Sequence, residues 1–586
     1  MQQNKADSTG DSTKLMSGSR MLIEALHLEG VSVIFGYPGG AVLNIYDEIY
    51  KQSYFRHILT RHEQGAVHAA DGYARASGKV GVAIVTSGPG FTNAVTGIAT
   101  AFTDSIPLVV ISGQVPLGQI GTDAFQEIDA VGISRPCTKH NYLVKDVASL
   151  PRILKEAFYI ARSGRPGPVL VDIPRDISAQ LGVFEYPNSI ALASYKPTLK
   201  GNTRQVKRLA AAMLEASSPL IYIGGGAVIS NSYDEIKALL DLTGIPSVET
   251  LMARGTTQNS PNFLGMLGMH GTYAANMATS ECDLLICLGA RFDDRVTGKV
   301  SEFARFAKIA HIDVDPSSIG KIITPNYPIV GDLKLVLRDL IKELQDRDLD
   351  EKVLEGRKAW LSKLKKWSQT HPLKFQDIES NNDFLKPQWV IQEAGRILGE
   401  EAIVTVDVGQ HQMWVAQFYP FSTKRQFITS GGLGTMGFAL PANMGVFMAL
   451  EEMNREDGTK KIALSFSGDG GVLMNIQELM TCVESGIKSV NIILNNGYLG
   501  MVKQWQDFFY EKRLSQVHLS QPDFVSLASS FGALGLEVRT KEEFTNALHT
   551  ALKSDKPSLI NVWINKDEIV LPMVPGGNPL YKMILD

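Results

Sequence analysis

The stretch "GDGGVLMNIQELMTCVESGIKSVNIILNN" (residues 468–496) decides the fold. It continues the aliphatic run "KIALSFS", and within "NIQELMTCV" the apolar residues Ile476, Leu479, Met480 and Val483 stand at i, i+3, i+4 and i+7, one face of a helix. "SVNIILNN" then has the composition of a buried strand. A strand–helix–strand crossover is nearly always right-handed, so the loops carrying Asp469 and the pair Asn495 and Asn496 emerge at the same carboxyl edge of a sheet. Sequence distance becomes spatial adjacency. A carboxylate and an amide oxygen at that edge, beside glycines that admit close backbone approach, suit a hard cation such as Mg²⁺ that keeps phosphate oxygens among its ligands. The implied guest is a diphosphate.

Working outward, the same alternation of aliphatic runs and helical-period segments fills the chain. It begins with "VSVIFGYPGG" and "AVLNIYDEIY", passes through "FRHILTRHE" and "VGVAIVTSGPG", and reaches "IPLVVISGQ". A second series runs through "PLIYIGGG", "DLLICLGARFDD" and "KIAHIDVD", and a third through "AIVTVDVGQ", "RQFITSGGLG", "KIALSFSGDGG", "SVNIILNN" and "SLINVWIN". Such alternation predicts α/β architecture: three open, mainly parallel-sheet domains with helices on both faces. The expected boundaries are a disordered tail over residues 1–17, domains at 18–185, 186–345 and 389–586, and a charged helical linker over 346–388 between the second and third.

A chain of 586 residues, 44% of them hydrophobic, is too long for one core. Its net charge of −4 comes from acids and bases mixed along the length, with no basic block to track phosphates, which argues against nucleic acid as a partner. Cys137, Cys282, Cys287 and Cys482 form neither a C-x-x-C pair nor a disulfide framework, as expected of a reducing, cytosol-like compartment. Residues 80–103 lack charge but are broken by Gly, Pro, Asn, Ser and Thr, so they read as strand, loop and helix, not a membrane span. His57, His62 and His68 are not spaced for zinc.

The "GDG…NN" pattern resembles the metal–diphosphate signature of thiamine-diphosphate enzymes. That resemblance implies Asp469 and Asn496 as side-chain Mg²⁺ ligands and the Tyr498 carbonyl as a third. Gly471 and Val472 depart from the small residue and aromatic that relatives often carry there. Thiamine chemistry also needs an acid against the aminopyrimidine ring, so that the exocyclic amine can become the base that deprotonates the thiazolium C2. "RHEQGAVHAADGYAR" is similar to the family's activating-glutamate motif and offers Glu63. In the family the two domains sharing one cofactor come from different chains, which implies a homodimer or homotetramer.

Further motifs narrow the resemblance, over residues ~18 to 580, to the acetohydroxyacid synthase family, whose catalytic subunits make acetolactate. They are "FGYPGGA" (35–41), "SGPGFTN" (87–93), "GTDAFQE" (121–127), "RFDDR" (291–295), "VGQHQMW" (408–414), "GGLGTMGFALPA" (431–442) and "GMVKQWQ" (500–506). Phe91 replaces the more usual alanine. The resemblance implies decarboxylation of pyruvate on thiamine diphosphate and ligation of the hydroxyethyl carbanion to pyruvate or 2-oxobutyrate, in valine, leucine and isoleucine biosynthesis. Glu63, Gln126, Lys139, Arg295 and Trp505 are the catalytic candidates, Arg295 clamping the acceptor carboxylate and Trp505 bounding the acceptor pocket. Phe125 is expected at the entrance. Gly40, Gln410, His411, Met436, Gly468, Gly470 and Met501 are expected around thiamine diphosphate.

In the middle domain, "IGGGA", "TLM", "GMLGMHG", "GARFDDR" and "HIDVD" resemble the family's flavin-binding segments. They imply FAD held by Arg165, Gly224, Gly225, Gly226, Thr250, Leu251, Met252, Met266, Gly268, Met269, His270, Gly289, Arg291, Asp293, Asp313 and Asp332. A pyruvate oxidase or 2-oxo acid decarboxylase using FAD and thiamine is the alternative. The sequence Gly432-x-Gly434-x-x-Gly437 alone is a weak dinucleotide signal, because it sits inside the thiamine motif. Family catalytic chains usually pair with a small regulatory subunit. The expected location is the bacterial cytosol, or the plastid stroma for a plastid-encoded chain.

Overall fold

The computed structural model describes residues 15–257, 259–347, 351–376, 384–458 and 460–585. Three six-stranded sheets, each wholly parallel, carry the chain. The first contains Val33–Gly36, Arg56–Leu59, Gly81–Val85, Leu108–Gln114, His140–Leu143 and Pro168–Pro174. The middle sheet contains Pro219–Ile223, Ser247–Glu249, Phe263–Met266, Leu284–Leu288, Lys308–Asp313 and Tyr327–Val330. The third contains Ala402–Val406, Phe427–Thr429, Ile462–Gly468, Val490–Asn495, Leu534–Val538 and Ser558–Trp563.

With strands numbered along the chain within each sheet, the first and third share the order 2-1-3-4-6-5, whereas the middle one is 3-2-1-4-5-6. In each, the order reverses beside the first strand. Such a reversal splays two neighbouring loops apart at the carboxyl edge and leaves a crevice there. Central strands such as Gly81–Val85 and Leu284–Leu288 are buried along their whole length, because helices cover both faces. Edge strand Arg56–Leu59 is only partly buried, which is why its sequence admits Arg and His.

The chain divides into two compact units. One comprises Met1–Ala70, Val80–Arg162 and Pro166–Ala193 and holds the first sheet; the other comprises Asp71–Lys79, Ser163–Arg165 and Ser194–Asp586 and holds the other two. The crossover over residues 468–496 is as expected, since Ile462–Gly468 and Val490–Asn495 are parallel neighbours. The charge-free window forms strand Gly81–Val85 and helix Pro89–Asp104, and Phe91 is fully buried in it. Among the described residues no helix is long and apolar enough to cross a membrane.

The end of the expected tail needs correction. Leu15–Ser17 is a short strand paired antiparallel with Leu181–Val183, and Ser17 caps the helix Gly18–Leu28 by accepting from Arg20 N at 3.2 Å. Residues 1–14 of that tail lie outside the described residues, as do 348–350 and 377–383 of the expected linker. The linker's described parts include helices Glu351–Gly356 and Lys358–Thr370.

Candidate active site

At the carboxyl edge of the third sheet, the turns after its first, third and fourth strands converge. Asp469 opens helix Asp469–Met474 and is 2% exposed. Its Oδ2 accepts from Gln521 Nε2 at 2.6 Å, the N–H groups of Gly470 and Gly497 also favour its charged form, and burial pushes its carboxyl up to about 6. The two asparagines divide their work. Asn495 is buried and holds the turn, its Oδ1 accepting from Gly497 N at 3.1 Å and its Nδ2 donating to Asn561 Oδ1 at 3.0 Å. Asn496 Oδ1 accepts from Tyr498 N at 3.0 Å and Nδ2 reaches Gln410 Oε1 at 3.4 Å.

His411 completes the cluster. Its ring is buried, burial lowers its pKa to about 3, and Nε2 has no hydrogen-bond partner. A buried neutral imidazole with an open nitrogen is costly unless a ligand answers it. A Cβ on Gly468 would lie 3.0 Å from His411 Cε1, and one on Gly470 would lie 3.0 Å from Leu519 and 3.8 Å from the methyl of Met436. Glycine therefore keeps the cradle open. These residues fit a cation and a diphosphate: a carboxylate, an amide oxygen and the Tyr498 carbonyl for the metal, glycine-lined space and an open imidazole for the phosphates.

Helix Gly500–Phe509 carries Met501 and Trp505 away from this edge. Met501 packs on the domain core; Trp505 meets Phe509 at 5.2 Å, and its Cη2 lies 3.8 Å from the Cβ position of Gly576. Gln504 on the same helix pairs with both backbone groups of Val570, accepting from its N at 2.9 Å and donating to its O at 3.1 Å, and also accepts from Gln410 at 2.9 Å. The C-terminal segment is thus tied to the cluster.

In the first sheet, Glu63 starts helix Glu63–Ser77 and is 8% exposed. Its Oε2 accepts from Asn93 Nδ2 at 3.0 Å, and Oε1 lies 3.2 Å from the Cβ position of Gly90. Gly88, at φ +58, has its own Cβ position 2.8 Å from Gln126 O, so Glu63 and Gln126 gather around one glycine turn. Gln126 itself is held at φ +61, a conformation costly for a non-glycine residue, by a loop whose N–H groups of Gly121 and Ala124 bond to Glu127. Phe125 beside it is 88% exposed. Gly40 begins a turn at the same edge, with open space where a Cβ would be.

Lys139 is not brought to them. It precedes strand His140–Leu143, at the amino edge of the parallel sheet, and its Nζ donates to Ile160 O at 2.6 Å, near the end of helix Leu150–Arg162. A cation there answers the helix's terminal carbonyls.

In the middle sheet, the loops at the order reversal carry Gly224, Gly225, Gly226 and Gly289. Their first task is packing: a Cβ on Gly224 would come within 2.3 Å of Gly289 O, and Gly226 N already donates to that oxygen at 2.9 Å. Thr250, followed by Leu251 and Met252, is buried with its hydroxyl unpartnered. Burial pushes the Asp313 carboxyl up to about 6, and Arg165 pairs with the nearby Asp315 at 3.1 Å. Asp332 is committed to capping helix Leu333–Gln345 through Leu335 N at 3.1 Å. Met266 ends a strand, Gly268 adopts φ +105, Met269 N donates to Arg295 O at 2.8 Å, and His270 is buried with its pKa lowered to about 4 by desolvation.

The "RFDDR" turn between them is anchored by Phe292, buried at φ +55 with Arg291 and Asp293 on either side. Asp293 caps the next turn through Arg295 N at 3.1 Å. The Arg295 side chain is 65% exposed and only 3.9 Å from Asp294, a loose pair that leaves its guanidinium available to an anion.

Comparison with known proteins accounts for all three sheets. The thiamine pyrophosphate enzyme N-terminal TPP binding domain matches residues 16–133, the central domain residues 206–340, and the C-terminal TPP binding domain residues 407–562. The chain is 44% identical over 579 residues to the acetolactate synthase isozyme 3 large subunit of Escherichia coli, covering 98% of this chain and 99% of that one. It is 46% identical over 578 residues to the large subunit of Haemophilus influenzae, covering 98% of each. The probable large subunit of Methanocaldococcus jannaschii is 45% identical over 580 residues, covering 97% of this chain and 95% of that one. The chain belongs to the acetolactate synthase family of thiamine pyrophosphate enzymes.

Membership makes it a thiamine-diphosphate-dependent enzyme, and the hydrogen bonds of the structure add neighbours that the family motifs left unremarked. Asn93, the partner of Glu63, stands in "SGPGFTN", and Gln504, the brace of Gln410, in "GMVKQWQ"; both were within quoted motifs. Asp407 also escaped notice, although it shapes the "GGLGTMG" loop by accepting from Gly437 N at 2.9 Å. Gln521 had no signal at all, lying outside every motif.

Proposed function

We propose that this enzyme joins two 2-oxo acids: it decarboxylates pyruvate and transfers the two-carbon remainder to a second pyruvate, or to 2-oxobutyrate, giving acetolactate or acetohydroxybutyrate for branched-chain amino acid biosynthesis. The observation that carries this reading is the 44–46% identity over nearly the whole chain to acetolactate synthase large subunits, and the cluster of Asp469, Asn496 and the open, neutral His411 in a glycine-lined edge supports the cofactor site it needs. When bound, thiamine diphosphate supplies the nucleophilic carbon and the electron sink for decarboxylation. Asp469, Asn496 and the Tyr498 carbonyl would hold Mg²⁺, while Gln410 and His411 would bind the diphosphate. Glu63 would face the pyrimidine of the cofactor as its activating acid, with Asn93 fixing its orientation.

Arg295 takes the acceptor carboxylate in a two-pronged hydrogen bond, and Trp505 sizes the space for the acceptor side chain. One additional methylene against an apolar wall is worth roughly 1–3 kcal/mol, enough to favour 2-oxobutyrate over pyruvate by an order of magnitude. FAD would be held at the crevice of the middle sheet, whose strand order suits dinucleotides, by the loops that carry Gly224, Gly225, Gly226 and Gly289, and would serve a structural role because ligation involves no net redox change. The active site is completed by a second copy of the chain, in a homodimer or homotetramer, and a small regulatory subunit partners it.

Product analysis by mass spectrometry tests the reading, with purified enzyme, thiamine diphosphate, Mg²⁺, FAD and pyruvate, with and without 2-oxobutyrate. Acetolactate, joined by acetohydroxybutyrate when 2-oxobutyrate is present and abolished in Glu63→Gln, is the expected result. Acetaldehyde or acetate without C–C bond formation would instead make the enzyme a decarboxylase or oxidase.

A further inference from the structure

We propose that Gln521 is a positioning residue for the Asp469 carboxylate, occupying one of its oxygens so that only the other is offered to a cation. The inference rests on the reading of Asp469 as a Mg²⁺ ligand. Gln521 Nε2 donates to Asp469 Oδ2 at 2.6 Å and to Leu519 O at 3.1 Å. Its Oε1 is buried and unpartnered. The amide orientation is therefore set by the carboxylate: turning it over would give the oxygen a chance of another partner but would place it against Asp469, acceptor against acceptor.

The backbone holds Gln521 in reach. Leu519 N donates to Gly497 O at 2.9 Å, and Leu499 N donates to Val517 O at 2.8 Å, so the segment leading to Gln521 is stitched to the turn that carries Asn496 and Tyr498. Two residues later Asp523 caps helix Phe524–Phe531 by accepting from Val525 N and Ser526 N, each at 3.0 Å, which fixes the chain's exit. Gln521 also helps line a cavity of about 530 Å³ with Asp523, Glu537, Asn561 and Trp563.

A carboxylate with one oxygen engaged in a hydrogen bond is biased to bind a cation through the other. That arrangement suits Mg²⁺, which is small, demands near-octahedral geometry and keeps several waters or phosphate oxygens; Ca²⁺ is larger and readily takes a carboxylate through both oxygens. Gln521 therefore strengthens Mg²⁺ binding and biases the site against Ca²⁺. Groups that orient a metal ligand from behind typically cost 10–100-fold in metal affinity when removed.

The test is calorimetric titration of Mg²⁺ and, separately, Ca²⁺ into metal-stripped full-length enzyme holding FAD and thiamine diphosphate. Gln521→Met keeps the side chain's length without a donor, and Gln521→Ser shortens it out of reach. Both are expected to weaken Mg²⁺ by about tenfold or more and Ca²⁺ by less, with the melting temperature of the metal-free protein unchanged. Mg²⁺ affinity within twofold of the parent, or equal losses for the two ions, would overturn the inference. Asp469→Asn separates it from the reading beneath: if that variant kept full Mg²⁺ affinity, Asp469 would not be a ligand. Loss in Asp469→Asn with no change in Gln521→Met would reject the role of Gln521 alone.

Discussion

Asp172 illustrates how far a single residue's chemistry depends on its surroundings. It lies in the buried strand Pro168–Pro174, accepts from Gln114 Nε2 at 3.0 Å, and leaves Oδ1 without a partner. Burial pushes its carboxyl up to about 7. A raised acid pKa means the folded state holds a proton that the unfolded chain releases, so this residue's contribution to stability falls as pH rises from about 4 to about 7 and is level above that. Asp172→Asn, which cannot ionise, should gain stability relative to the parent across that window, as thermal melts from pH 4 to 8 would record; a difference independent of pH would contradict it. Glu63 makes a second case. Proton transfer from a positioned side chain is worth ~10²–10⁴-fold, and Glu63→Gln keeps the shape but removes the acid. The expected loss in kcat is about that size, with little change in melting temperature.

Among the elements, the loop before helix Ala439–Asp457 depends on a glycine. Gly437 adopts φ +82, and a Cβ there would lie 2.8 Å from Met474 Cβ. Gly437→Ala should therefore weaken thiamine diphosphate binding and lower stability by about 1 kcal/mol or more, measured by cofactor titration and denaturant melts. The helix Gly500–Phe509 holds the C-terminal segment through Gln504. Replacing it with leucine leaves both Val570 backbone groups unpaired, a cost of ~1–3 kcal/mol for each that stays buried. Faster hydrogen exchange at the Val570 amide in Gln504→Leu would report that release. These elements also show what a linear reading could reach. The crossover over residues 468–496 was legible because hydrophobic period and crossover handedness are local rules, and together they put Asp469 and Asn496 at one edge. Lys139 marks the limit of such rules: a motif gives a place in the chain, whereas the sheet's polarity decides which edge it occupies. The strand Leu15–Ser17 escaped because its pairing partner lies far along the sequence.

At the scale of the whole molecule, Glu63 belongs to one compact unit and Asp469 to the other. A site completed by a second chain predicts complementation. Glu63→Gln and Asp469→Asn should each be inactive alone, but a mixed dimer would hold one doubly altered site and one intact site. Co-refolding equal amounts should restore about a quarter of parental activity, since half the dimers are mixed and each has one working site of two. No recovery would mean that each chain supplies its own complete site.

The sequence by itself determined the class of the fold and the main chemical groups, because strand and helix periods, glycine turns and the spacing of Asp469 from Asn496 are written locally. Only the tertiary structure decided which of those groups are engaged. It left His411 Nε2 open, turned the Gln521 amide onto Asp469, committed Asp332 to a helix cap and placed Lys139 at the far edge of its sheet. Burial and hydrogen-bond partnership arise from contacts between segments distant in the chain, and no periodicity along the sequence encodes them.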